Sequence, residues 1–142
     1  MRAMNRMPIF LLLVLLANVG HAHCFDQAGV KYGVSPVLLS AISGVESAGN
    51  PLARNLNRDG SEDIGHMQIN SRWLTVLASH GIDREKLFNP CLNTYVAAWI
   101  LAQNIRALGY GWEAVGAYNA RSHGKRVIYA HRVAAALKAG RS

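Results

Sequence analysis

Glu46 closes the apolar run "VLLSAISGVE", and the nearest other carboxylates along the chain are Asp26 and Asp59. At about 100° per residue, Leu38, Leu39, Ile42 and Val45 form one helical stripe. Glu46 stands four residues after Ile42 and seven after Leu39, so it lies inside that stripe. Loss of hydration there disfavours the ionised form and raises the pKa. A carboxyl group still protonated near neutral pH is what cleavage of a glycosidic bond requires, to protonate the leaving oxygen. The competing expectation is a last-turn side chain that turns to solvent, although negative charge at a helix C-terminus is mildly unfavourable. Asp63, just before "IGHMQ", is the candidate second carboxylate. In a cleft it would permit attack by water; the stronger expectation is a hydrogen-bond acceptor that shapes its loop.

Other chemistries fit less well. Asn55, Asn57, Asp59 and Gly60 imitate positions 1, 3, 5 and 6 of a calcium loop, but position 12 is His66 where a bidentate glutamate is needed. A loop built from Asn and Gly turns explains the stretch better, and no metal or other cofactor is expected. His23, His80, His123 and His131 show no common ligand spacing. Trp99 reads as core, while Trp73 and Trp112 are open to sugar stacking. "MQINSRWLTVLASHG" beside a basic tail imitates a DNA-recognition helix, but no helix–turn pair precedes it, and nucleic acid is not an expected partner.

Helices must position Glu46. "CFDQAGVKYG" reads as a helix closed by Gly33, and "SPVLLSAISGVES" as a second with Ser35 as N-cap and Pro36 in its first turn. From 49 to 70 the helical period disappears, leaving an irregular segment with room for a small hairpin near "RDGSED". "SRWLTVLASHG" predicts a helix capped by Ser71 and stopped at Gly81, and Asp83 caps a turn through "REKLF". Asn89 and Pro90 open the longest helix, whose Leu92, Tyr95, Val96, Trp99, Ile100 and Leu108 cover more than one face and predict a central buried element. "WEAVGAYNA" and "KRVIYAHRVAAALKA" complete a mainly α chain, a single domain with at most a minor β-hairpin.

The 142 residues carry 15 Lys and Arg against 8 Asp and Glu. "MRAMNRMP" followed by "IFLLLVLLANV" and the small residues Gly20 and Ala22 predicts a secretory signal over 1–22, with one domain over 23–142. The apolar run is short for a bilayer span, so stable membrane insertion is not expected. His23 before Cys24 disfavours lipidation. Removing Arg2 and Arg6 leaves 13 basic side chains against 8 acidic, and after Glu113 there are six basic and no acidic residues. In an exported chain such a tail suits an anionic polymer of the wall, or is simply a solvated basic face. Export also favours joining Cys24 to Cys91, closing a loop of about 68 residues worth roughly 4 kcal/mol; two buried free thiols are the alternative.

"ESAGNPLA", "GHMQIN" and "GAYNA", in this order and spacing, resemble the transglycosylase domain of the soluble lytic transglycosylase family. The similarity extends over the whole of 23–142. It is strongest to the small exported members that accompany type III secretion, type IV pilus and conjugation systems. It implies a goose-lysozyme-like fold around a cleft for peptidoglycan glycan strands, in the periplasm. It implies Glu46 as general acid and then base, with Ser47 beside it. Met67 and Gln68 then line the cleft, and Tyr118 and Asn119 face the glutamate, the Tyr118 hydroxyl orienting it. It further implies attack by the muramic acid C6 hydroxyl on C1, giving a 1,6-anhydro end, in local wall opening for an envelope-spanning machine. A catalytically weak wall-binding assembly factor and a water-using muramidase are the alternatives. His66 replaces the usual leucine of the second motif and Arg121 the glycine that usually ends the third. His66 is expected either near Glu46, lowering its pKa when protonated below pH 6, or facing solvent. Arg121 is expected to narrow the cleft or to meet an anionic stem peptide.

Overall fold

The computed structural model describes residues 23–140, so the expected signal segment lies outside the described residues. Helix α1 (Phe25–Tyr32) ends at Gly33 in the left-handed conformation, φ 67°. Helix α2 (Pro36–Ser47) begins as its sequence predicts: Ser35 Oγ accepts the Leu38 amide and Pro36 fills the first turn. Its apolar stripe packs inward, with Leu38, Leu39, Ile42 and Ser43 buried.

The irregular segment holds more order than one hairpin. Strands β1 (Arg54–Leu56), β2 (Glu62–Ile64) and β3 (Ile69–Asn70) form an antiparallel sheet in the order β1-β2-β3, with Asn55 opposite Asp63 and Asp63 opposite Asn70. The third strand is too short for a period-two signal, so sequence reading could not find it. The expected helix at "SRWLTVLASHG" is a 3-10 turn over Ser71–Trp73 followed by α3 (Leu74–Ala78). Its cap is Asn70, which accepts the Arg72 amide; Ser71 Oγ instead accepts the Glu62 amide and ties the turn to the sheet.

Helix α4 (Pro90–Leu108), capped by Asn89, is the central element. Its buried face differs from the expected one. Leu108 is exposed, because the last turn runs past the core, whereas the polar Asn93 and Thr94 are fully buried. Trp99 packs edge-on against Trp73, with ring centroids 5.4 Å apart. Helices α5 (Trp112–Asn119) and α6 (His123–Ala139) pack on each other, α5 on α4 and α6 on α2. Gly116 permits the α5–α6 approach: a β-carbon there would stand 2.6 Å from the Arg126 carbonyl oxygen. Leu39, Ile42, Ile64, Met67, Leu101 and Val133 meet in one core, so the sheet, α2, α4 and α6 share an interior. The result is a mainly α, lysozyme-like domain. Cys24 and Cys91 are bonded, with Cα atoms 4.9 Å apart, which fastens the start of α1 to the first turn of α4.

Candidate active site

Glu46 emerges in the last turn of α2, half-buried. Its Oε1 accepts a hydrogen bond from the Tyr129 hydroxyl at 2.5 Å. Its pKa is raised from 4.5 to about 7: burial drives the rise, the Tyr129 bond opposes it, the charge of Asp63 adds to it and Arg132 opposes it. The carboxyl therefore holds its proton over much of the range where an ordinary glutamate is ionised. Tyr129 is 2% exposed, and burial followed by the Glu46 charge pushes its own pKa up, so it remains a donor.

Tyr118 does not orient Glu46. Its hydroxyl donates to the Met67 carbonyl at 2.8 Å, while its ring stacks on Tyr129, centroids 6.5 Å apart and planes 20° from parallel. The tyrosine on Glu46 is Tyr129, which the sequence reading missed. A signal was present: Tyr129, Val133 and Leu137 recur at four-residue steps along one helix face. A hydroxyl carried into an interior by such a face needs a buried acceptor.

Met67 lines no cleft with its side chain, which is fully buried. Its backbone is what the site uses. The Met67 amide donates to Asn93 Oδ1 at 2.8 Å and its carbonyl accepts from Tyr118. Asn93 Nδ2 also donates to the Ile64 carbonyl, so one buried amide side chain satisfies the backbone on both sides of the 65–66 turn. Gly65 sits against that amide at φ 77°, where a β-carbon would lie 2.5 Å from Asn93 Nδ2. Gln68, half-buried and at φ 53°, donates through Nε2 to the Gly65 carbonyl. Ser47 Oγ donates to the His66 carbonyl at 2.8 Å and joins the end of α2 to the same loop. Asn119 is exposed at the end of α5 and Arg121 in the α5–α6 connection.

The solvent-facing expectation for His66 is overturned: it is fully buried, and its ring is bonded to Ser43 and Pro90 and not to Glu46. The Pro90 carbonyl, which can only accept, lies 2.9 Å from Nε2, so that nitrogen carries the proton. Nδ1 then accepts the Ser43 hydroxyl at 2.7 Å, and Thr94 Oγ1 stands 3.1 Å from Nε2. Burial, chiefly, lowers the His66 pKa from 6.5 to about 4, which favours a neutral ring near pH 6 and speaks against its charge acting on Glu46 there.

Asp63 lies near enough to raise the Glu46 pKa by its charge, yet its oxygens are engaged in the sheet. Asn57 Nδ2 donates to Oδ2 at 3.1 Å and Asn70 Nδ2 to Oδ1 at 2.8 Å. The loop-acceptor expectation holds, and an electrostatic role joins it. No group of three or more His, Cys, Asp or Glu among the described residues could hold a metal ion, and no described helix is long and apolar enough to cross a membrane.

A family model described as "Transglycosylase SLT domain" matches residues 23–130. Over 119 residues, the chain is 42% identical to "Protein IpgF" of Shigella flexneri, covering 83% of this chain and 78% of that protein. It is 43% identical to "Invasion protein IagB" of Salmonella typhimurium over the same length, covering 83% and 74%. To "X polypeptide" of Escherichia coli K12 it is 38% identical over 138 residues, 92% and 82% of the two chains.

Proposed function

The chain belongs to the transglycosylase SLT domain family, and on that premise we propose that it cleaves the β-1,4 bond between N-acetylmuramic acid and N-acetylglucosamine in peptidoglycan without water. Protonated Glu46 gives its proton to the glycosidic oxygen as the C1–O bond breaks. The Glu46 carboxylate then takes the proton of the muramic acid C6 hydroxyl as O6 bonds to C1, closing a 1,6-anhydro ring. Nothing is added or lost, since one proton is given and one is regained. A single carboxylate with a pKa near neutrality suits both halves, and the half-buried place of Glu46 in the last turn of α2, bonded to Tyr129, carries the reading. Tyr129 holds the carboxyl in place, and the 65–68 loop, fixed by Asn93 and Ser47, forms the neighbouring wall with Gln68 at its surface.

The reaction takes place in the periplasm and opens the wall locally for an envelope-spanning secretion, pilus or conjugation apparatus. The word "invasion" in the name of a 43% identical relative supports a role of this kind. Mass spectrometry of fragments released from purified peptidoglycan by residues 23–142, with Glu46→Gln alongside, tests the chemistry. Anhydro-ended fragments that vanish in the variant are expected. Reducing ends would instead mean attack by water, with Asp63 as the second carboxylate. Binding without release would make the chain a wall-binding assembly factor.

A further inference from the structure

The α6 face beside Glu46 carries cations that the protein leaves unpaired. Lys125, Tyr129 and Arg132 follow at steps of four and three residues, so they share one side of the helix. Tyr129 turns inward to Glu46, and Lys125 and Arg132 flank it, both exposed. Arg132 Nη2 reaches towards the Val45 carbonyl, one residue before Glu46, at 3.5 Å. That length is the outer limit of a hydrogen bond and leaves most of the five guanidinium donors free. Four arginines elsewhere are matched, Arg54 and Arg84 with Glu62, Arg72 with Asp59 and Arg126 with Glu113; of the cations without an ion pair, Lys125 and Arg132 are set apart by their place on either side of Tyr129. Among the described residues, Lys125 and Arg132 form no ion pair, and no acidic residue follows Glu113.

We propose that Lys125 and Arg132 bind the free carboxylates of the peptidoglycan stem peptide, so that the protein selects peptide-bearing strands over naked glycan. The inference rests on the function proposed above. The muramoyl residue whose bond meets Glu46 carries its peptide on the lactyl group, so those carboxylates lie within a short peptide's reach of Glu46. Seven residues of helix separate Lys125 from Arg132 by about 10 Å, the reach of roughly three extended residues. Two cations at that spacing fit carboxylates distributed along a short peptide, whereas glycan stripped of peptide offers a single carboxylate per muramoyl residue, that of the lactyl group itself.

The test compares soluble, uncross-linked strands carrying stem peptides with the same strands stripped by an amidase. Wild-type protein and the double variant Lys125→Gln, Arg132→Gln are assayed on both. The readout is the ratio of kcat/KM on the two substrates, in which any change of Glu46 proton affinity cancels. The wild-type ratio is expected to exceed one by about fivefold at low salt and to fall towards one in the variant or in high salt. A wild-type ratio of one, or a ratio that survives the double substitution, overturns the proposal. If neither strand is cleaved, the proposed reaction fails, and titration calorimetry on the same strands still decides: tighter binding of peptide-bearing strands by wild type alone supports the proposal, and equal binding overturns it. Equal binding to both strands, together with binding to vesicles containing phosphatidylglycerol, would assign the face to a membrane surface and likewise overturn it.

Discussion

Glu46 is one carboxyl among several, and its neighbours decide what it can do. Burial raises its pKa to about 7, Asp63 adds to the rise, and Tyr129 and Arg132 act against it. As the proton donor, Glu46 gives kcat/KM an alkaline limb near pH 7. Tyr129→Phe removes a bond that favours the ionised form, so that limb moves to higher pH; Asp63→Asn removes a repelling charge and moves it lower. A pH–rate profile of the two variants checks the signs, and shifts in the same direction would refute the assignment. Glu46→Gln keeps an acceptor for Tyr129 but removes the proton, so activity falls by about a hundredfold or more. The same substitution raises stability. Folded Glu46 titrates above the unfolded value of 4.5, so the native state holds the extra proton and loses stability as pH rises from 4.5 through 7. At pH 8 the neutral variant should be more stable by up to about 3 kcal/mol, measured by urea unfolding.

At the scale of elements, legibility followed length and capping. Ser35, Pro36 and Gly33 placed α1 and α2, and Asn89 with Pro90 placed α4, because each signal is local to the chain. The short β3 and the 3-10 start of α3 escaped, since both are fixed by contacts such as the Ser71 bond to the Glu62 amide. Within the site, Glu46 was visible from its own helix. Its partner Tyr129 lies 83 residues further on, and only packing of α6 against α2 joins them. His66 was misread for a related reason: Ser43 on α2 and Pro90 and Thr94 on α4 satisfy its ring inside the core, and the three are distant along the chain. This pin carries a pH signature. The folded pKa of about 4 lies below the ordinary 6.5, so the unfolded state binds the proton first and stability declines as pH falls from 6.5 to 4. Glu46 works in the opposite direction over part of that range. The difference between wild type and His66→Leu isolates the histidine: the wild-type Tm should fall more steeply over this interval, and parallel curves would contradict the neutral, buried assignment.

The described residues form a small core closed by one covalent staple, with a C-terminal helix whose charged side chains are all basic. The Cys24–Cys91 bond spans 67 positions and secures α1 to α4 directly behind the His66 pin. Replacing both cysteines by serine should lower stability by about 4 kcal/mol in the chain-entropy description, read as a shift of the urea midpoint. Glu46 lies on α2, not on the stapled helices, so activity at low temperature should outlast that loss. What sheet, core helices and staple achieve together is a rigid, partly dry seat for one carboxyl. The proton on that carboxyl is therefore the quantity to measure. Carbon-13 NMR titration of the Glu46 side-chain carboxyl in the folded protein should give a midpoint of about 7. A midpoint near 4.5 would mean that the group is ionised wherever the wall is cut, and the account of Glu46 as the acid would be wrong.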